Sequence, residues 1–301
     1  MSIPPDDRLD RLAEWLTRAE FVCVLTGAGV SAESGLATFR GPDGLWKGRD
    51  VMELATPEAF ARDPHGVWEF YRWRLLQAAK VAPNAGHVAL VRLQEWLGAR
   101  PAPDPSGSRF GLITQNVDRL HQRAGSRDVV ELHGNITEVR CVRCPHRRSI
   151  FRAEADGSPA SGNAESSLAA MPDATPADLR EGTAAAAPML VPEFLRTAEP
   201  RCPECGDWLR PCVVWFNEML PDAAVARAAE WAERCDLFLS IGTSALVWPA
   251  SGFAHTAQRN GARLVEINLE PTPLTPLAHL AIHGKSGEIL PELVRRLPAQ
   301  S

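Results

Sequence analysis

The chain has 301 residues, 45% hydrophobic and 23% charged, the ordinary balance of a water-soluble globular protein, and enough length for one large α/β domain or such a domain with a small satellite. A formal charge of −5 and a pI near 5.9 exclude a nucleic-acid partner held by bulk electrostatics. No apolar stretch approaches the roughly 20 residues of a membrane span, and the acidic start Met1-Ser2-Ile3-Pro4-Pro5-Asp6-Asp7 has no signal-peptide pattern. A cytoplasmic protein without a membrane partner is expected.

Leu9, Leu12, Trp15 and Leu16 follow helical spacing, which predicts an amphipathic helix over 6–18. The apolar run Phe21-Val22-Cys23-Val24-Leu25 then reads as a buried strand. It runs straight into Gly27-Ala28-Gly29, the arrangement by which a dinucleotide fold brings backbone N–H groups up to a pyrophosphate. Glycine suits that turn because a Cβ would hold a phosphate away from the backbone. The residues after it, Thr38-Phe39-Arg40-Gly41, look like a loop built over a bound cofactor rather than a plain helix.

Residues 50–79 are Trp-rich with a mostly helical pattern, as expected of an inserted module. A helix over 87–97 and a loop over 101–108 follow. Further apolar runs at 111–114, 129–132, 237–241 and 264–267 read as strands, with helical stretches at 223–233 and 288–296. Strands alternating with helices imply a doubly wound parallel sheet. Between Cys144 and Cys202 lie 57 residues, of which 154–188 are largely Ala, Ser, Gly and Pro, a composition that predicts a mobile loop.

Seven cysteines in a cytosolic chain point away from disulfides. Four of them form the pairs Cys141-Val-Arg-Cys144 and Cys202-Pro-Glu-Cys205, spaced for a closed tetrahedral thiolate site, best suited to one structural Zn²⁺. The alternative is two unrelated redox or buried pairs. Cys23, Cys212 and Cys235 sit in apolar surroundings and read as small core hydrophobes.

Polar segments end or follow the predicted strands at 27–41, 114–118, 131–135, 242–244 and 268–270. In an open parallel sheet the ligand crevice lies beyond the carboxyl ends of the strands, so all of them are expected to converge on one cleft.

These segments carry a family resemblance. The loop 27–46, Gln115-Asn116-Val117-Asp118, His133-Gly134, the two cysteine pairs, Gly242-Thr243-Ser244 and Asn268 with Glu270 stand in the order found in the sirtuins, NAD-dependent protein-lysine deacylases, and the chain is similar to them over nearly its whole length. The resemblance implies a Rossmann-like NAD domain in three parts (1–46, 84–140 and 211–301), an inserted helical module (47–83) and a small zinc-ribbon domain with a low-complexity insert (141–210). It implies that Gly27, Ala28, Gly29 and the following loop, with Glu33, Thr38 and Trp46, hold NAD around its pyrophosphate. Phe39 and Arg40 would cover the ribose and nicotinamide side. Gln115, Asn116 and Val117 would contact the nicotinamide ribose, and Asp118 would read the carboxamide. Gly242, Thr243 and Ser244 would take a phosphate or the adenosine ribose, Asn268, Leu269 and Glu270 the adenosine end, and Ser286 the adenine. His133 would be the catalytic base with Asn116 beside it, leaving free lysine, nicotinamide and O-acyl-ADP-ribose. A neutral imidazole suits that task at cellular pH. His121 reads as a loop-stabilising residue.

A substrate peptide would lie as an added strand along 213–218, touching Val214, Phe216, Asn217 and Glu218. Here the chain departs from its relatives, with Cys212 in place of the usual His and Asn217 in place of Gly; Asn tolerates positive φ better than most residues. Tyr71 and Arg74 share a helix face, and Tyr-x-x-Arg is similar to the signature of class III sirtuins, which remove succinyl, malonyl or glutaryl groups. Chemically, a guanidinium and a phenol can bind the distal carboxylate of such a chain. The loop 31–35 resembles class III members too. The expectation is removal of succinyl and malonyl groups with deacetylation as a second activity, by a monomer without a specific nucleic-acid partner. The alternatives are a deacetylase in the main, a mono-ADP-ribosyltransferase, or a non-catalytic zinc-ribbon adaptor.

Overall fold

A computed structural model of the chain describes residues 7–38, 45–100, 108–150 and 199–299. Phe39, Arg40, the Ala-rich stretch 154–188 and nearly all of the loop 101–108 lie outside the described residues. In chain order the elements are α1 (Asp7–Arg18), β1 (Val22–Thr26), α2 (Ala28–Ala32), β2 (Leu45–Trp46), β3 (Arg49–Asp50), α3 (Val51–Leu54), α4 (Pro57–Arg62), α5 (Pro64–Lys80) and α6 (Ala85–Gly98). Next come β4 (Phe110–Thr114), α7 (Leu120–Ala124), β5 (Val129–Glu131), β6 (Gly134–Cys141), β7 (Arg147–Ser149) and β8 (Leu209–Val213). The last are α8 (Asp222–Arg234), β9 (Leu237–Ile241), α9 (Ala250–Arg259), β10 (Arg263–Asn268), β11 (Leu280–His283) and α10 (Ser286–Arg295). No helix among the described residues is long and apolar enough to cross a membrane.

These elements gather into two compact units, one from 1–38, 83–133 and 220–301, the other from 39–82 and 134–219. The first holds a six-stranded sheet in the order β11-β10-β9-β1-β4-β5, with every neighbouring pair parallel. Such a sheet must be covered on both faces, because parallel crossovers lay helices on each side. Alternation along β1 accomplishes this. Val22 and Val24 join a layer with Leu9, Leu12 and Leu16 of α1, Leu90 and Leu93 of α6, and Ile289 and Leu290 of α10. Phe21, Cys23 and Leu25 join the opposite layer with Ala228 and Trp231 of α8 and Phe253 and Ala257 of α9. From β1 the chain winds outward through β4 and β5, then returns to β9 on the other side and winds outward again. The order reverses between β1 and β9, the switch point where doubly wound folds bind ligands.

The second unit contains a three-stranded antiparallel sheet, β7-β6-β8, together with α3, α4 and α5. Each of these helices begins on a capped turn: Asp50 accepts from Met52 N, Thr56 from Ala59 N and Asp63 from Gly66 N. Aromatic contacts tie the helices to the sheet. Trp68 Nε1 donates to Leu209 O of β8 at 2.8 Å, and Phe60 packs against Trp208 and Trp215 with ring centroids 6.1 and 5.2 Å apart. The helical segment and the cysteine-bearing segment therefore share one core.

Candidate active site

The turn after β1 lies against the turn after β9. Gly27 N donates to Ile241 O at 3.1 Å and Gly29 N to Gly242 O at 2.8 Å. A Cβ on Gly27 or Gly29 would stand 2.8 or 2.7 Å from Gly242 O, and Gly242 itself holds φ +60 with Val30 N only 2.5 Å from where its Cβ would be. The glycines are thus demanded by backbone contact inside the protein, a reason additional to the expected approach of a phosphate.

Behind this contact runs a buried hydrogen-bonded chain. Register places Thr26 level with Thr114, and Thr26 Oγ1 donates to Thr114 Oγ1 at 2.9 Å. Thr114 Oγ1 accepts from Asn116 N at 3.1 Å. On the other side Thr26 Oγ1 lies 2.9 Å from His121 Nε2. One proton is shared along this pair, donated either by the hydroxyl or by the ring nitrogen according to the tautomer. Burial pulls His121 down to about 4, so the ring is neutral. The His87 ring packs 4.8 Å away, and burial holds it well below its ordinary value as well. His121 thus anchors the start of the 115–118 loop through Thr26 and Thr114.

The loop residues are held in turn. Asn116, 8% exposed, donates from Nδ2 to Gly27 O and Ser31 Oγ, both at 3.0 Å. Gln115 Nε2 donates to Thr243 Oγ1 at 3.0 Å. His133 Nδ1 lies 2.9 Å from Gln115 O. A carbonyl only accepts, so Nδ1 bears the proton and Nε2 carries the lone pair. Burial lowers the His133 pKa, partly offset by the bond to Gln115. This leaves a neutral ring with its basic nitrogen fixed by tautomer.

Further along the same strand ends, Asp118 Oδ1 accepts from Leu120 N, Val117 is buried, and Ser244 Oγ accepts from Leu246 N. Asn268 Nδ2 donates to Glu270 O at 2.8 Å, with Leu269 and Glu270 exposed beyond β10. Ser286 Oγ and Gly287 N both donate to Glu33 Oε1, at 2.8 and 2.9 Å. Glu33 is thereby committed to the start of α10. Ala28 and Thr38 are half-buried. Converging side-chain amides, hydroxyls and an imidazole at the switch point of a doubly wound sheet fit a dinucleotide.

In the second unit, Tyr71 and Arg74 share a face of α5, the Arg74 guanidinium carbon lying 5.8 Å from the Tyr71 ring centroid and 5.7 Å from that of Phe70. Trp46 packs edge-on against Phe70 with centroids 5.5 Å apart, and only 7% of it is exposed. Regular strand structure stops at Val213 and does not run through 213–218. Val214 continues half-buried, Phe216 and Asn217 form a turn, and Asn217 holds φ +69. A carboxylate closes that turn: Glu218 Oε2 accepts from Trp215 N at 2.8 Å, while Arg210 pairs with both Glu218 oxygens at 2.5 and 2.8 Å. Cys212 is buried, and burial pushes its thiol up to about 11. Gly134 has φ +69 and a Cβ there would stand 2.0 Å from Cys212 O, which explains glycine after His133.

The thiols of Cys141, Cys144, Cys202 and Cys205 all lie within 4.8 Å of one another. Backbone turns shape the pairs: Arg143 N donates to Cys141 Sγ at 3.3 Å, and Gly206, φ +75, closes on Cys202 O at 2.9 Å. Four thiolates in this set fit one zinc ion with no open position. Cys23 and Cys235 are buried, as expected of small core residues.

Sequence reasoning overlooked Thr26, and it took in Thr114, Ser31 and Trp215 only as members of the segments 114–118, 27–41 and 213–218, with no role of their own. The signal for the threonines was available, since each ends an apolar strand run (Val22–Thr26 and Phe110–Thr114) at its carboxyl end. Trp215 carried no such mark.

The sequence matches the Sir2 family over residues 27–249. An NAD-dependent protein deacylase of Thermococcus kodakarensis is 44% identical over 290 residues, covering 96% of this chain and 95% of that protein. A Sir2 homologue in complex with NAD is similar in structure, with a TM-score of 0.73 at 38% identity and coverage of 95% of this chain and 92% of that one. A Sir2 mutant bound to a p53 peptide and NAD has a TM-score of 0.71 at 27% identity, covering 95% and 97%.

Proposed function

We propose an acyl preference for this chain, which belongs to the Sir2 family and is an NAD-dependent protein deacylase: it removes succinyl and malonyl groups from lysine, with deacetylation as a second activity. The observation that carries the preference is the pairing of Tyr71 and Arg74 on one face of α5, with the guanidinium carbon 5.8 Å from the phenol ring. A guanidinium offers a carboxylate two charge-assisted hydrogen bonds, whereas the methyl end of an acetyl group gives it nothing to pair with.

NAD, when bound, supplies an electrophilic ribose carbon and the nicotinamide leaving group. His133 accepts a proton at Nε2, because Nδ1–H is engaged by Gln115 O. Burial keeps that ring neutral. Asn116, pinned through Nδ2 to Gly27 and Ser31, orients the nicotinamide ribose together with Gln115, and Asp118 reads the carboxamide. Gly27, Ala28 and Gly29 approach the pyrophosphate, while Thr243, Ser244, Asn268, Glu270 and Ser286 serve the adenosine half. Val214, Phe216, Asn217 and Glu218 line the acylated peptide. Cys141, Cys144, Cys202 and Cys205 hold a structural zinc ion.

The test compares kcat/KM on acetyl-, malonyl- and succinyl-lysine forms of one peptide, for wild type and Arg74→Met, with products identified by mass spectrometry. Loss of a charge-paired contact predicts a fall of about 100-fold in the succinyl-to-acetyl ratio. Equal loss of both activities overturns the preference. ADP-ribose gained by the peptide, in place of acyl loss, overturns deacylation itself.

A further inference from the structure

The Tyr71 phenol sits in an asymmetric hydrogen-bonding environment. Trp215 Nε1 donates to Tyr71 Oη at 2.8 Å, and the two residues are 1% and 2% exposed. An indole N–H only donates, so Trp215 occupies an acceptor lone pair of the phenol oxygen. The phenol proton must then point elsewhere, and among the described residues Tyr71 makes no second hydrogen bond. A buried O–H without an acceptor is costly unless a ligand supplies one. Burial lifts the Tyr71 phenol above its ordinary value, so the proton stays on at cellular pH.

Trp215 is itself held from several sides. Its backbone N–H is bound by Glu218 Oε2. The Arg210 guanidinium carbon lies 3.3 Å from its ring centroid, and Phe60 packs on it at 5.2 Å. Arg210 is only 6% exposed, and its pairing with Glu218 and its bond to Val213 O at 2.9 Å keep it in place. The indole N–H is therefore aimed rather than free to swing.

We infer that Trp215 is a specificity-positioning residue: by filling the acceptor side of Tyr71 it makes that phenol a dedicated donor, aimed at the distal carboxylate of a dicarboxylic acyl chain beside Arg74. This rests on the acyl preference proposed above. An acetyl group, which ends in a methyl, has no acceptor to meet that proton, so the arrangement discriminates between chains rather than merely binding them.

The experiment measures the succinyl-to-acetyl ratio of kcat/KM at saturating NAD for wild type, Trp215→Phe, Tyr71→Phe and the double variant, with zinc content and circular dichroism as checks on folding. Trp215→Phe is expected to lower the ratio about 5- to 20-fold, the value of one hydrogen bond to a charged group, through KM for the succinyl peptide. Tyr71→Phe should lower it at least as far, and the double variant no further than Tyr71→Phe alone. A ratio unchanged in Trp215→Phe, or losses that multiply in the double variant, overturns the inference. Should Trp215→Phe fail to fold, Tyr71→Phe still reads the same hydroxyl, and a wild-type ratio there overturns it. Arg74→Met separates the two levels. If it lowers the ratio while Trp215→Phe does not, only the role of Trp215 falls; if neither moves the ratio, the acyl preference falls with it.

Discussion

Mild acid is expected to weaken this protein before its carboxylates titrate, and His121 sets the scale. The ring is 1% exposed and burial holds it at about 4, against about 6.5 in an unfolded chain. The unfolded state therefore binds more protons across that window, and stability falls as pH falls. The full contribution is present above about pH 6.5. Linkage gives a loss of about 1.4 kcal/mol by pH 5.5 and about 3 kcal/mol by pH 4, a sizeable share of a typical total of about 5–15 kcal/mol. His87, packed 4.8 Å away and also depressed by burial, acts in the same direction.

Replacement of His121 by Asn isolates the effect. The variant loses the imidazole bond to Thr26 and starts about 1–2 kcal/mol less stable at pH 7.5. It has no group at that position to protonate, so its stability should decline less steeply, by about 2.5 kcal/mol between pH 7.5 and 4.5. Urea unfolding followed by tryptophan fluorescence at a series of pH values measures both slopes. His87 and the carboxylates are common to the two proteins and largely cancel in the difference. Parallel pH dependences in wild type and variant would refute a neutral, buried His121.

Gly134→Ala should cost about 2 kcal/mol or more, because its Cβ would stand 2.0 Å from Cys212 O at φ +69; a drop in Tm smaller than about 3 °C would count against that contact. The acid limb of kcat/KM for deacylation should have its midpoint below pH 6.5, since burial lowers His133 and only its neutral form accepts a proton at Nε2. A limb centred at or above that value would mean that burial does not govern the base.

The sheet was legible because parallel strands buried on both faces are nearly continuous apolar runs. The run 237–241 was expected as a strand and is one, and 111–114 and 264–267 lie inside β4 and β10. The edge strand β11 escaped notice: Leu280-Ala281-Ile282-His283 alternates between buried and open positions over only four residues, too short for a pattern to stand out. The segment 213–218, beside which a substrate peptide was expected to add as a strand, is itself regular strand only as far as Val213, and beyond it Glu218 turns back to bind Trp215 N. A contact between side chain and backbone three residues apart leaves no periodicity to read. The shared core of α4, α5 and β8 was likewise hidden, since Phe60, Trp68, Trp208 and Trp215 are brought together by tertiary packing across more than a hundred residues of sequence.

The strand-end motifs were readable for a reason deeper than the ligand they suggest. Gly27-Ala28-Gly29 and Gly242 need glycine because two backbone turns touch, with Gly29 N bonded to Gly242 O. That contact lies where the strand order reverses, between β1 and β9, and it brings the carboxyl ends of both strands level. Once they are level, the residues just beyond them share one edge: Gln115 reaches Thr243, Asn116 reaches Gly27, and His133 reaches Gln115. Glycine at the turn and polarity at the strand ends are thus consequences of a single geometric requirement. A larger residue at Gly29 or Gly242 would drive the two turns apart, and with them the Gln115–Thr243 bond that ties the strand ends together.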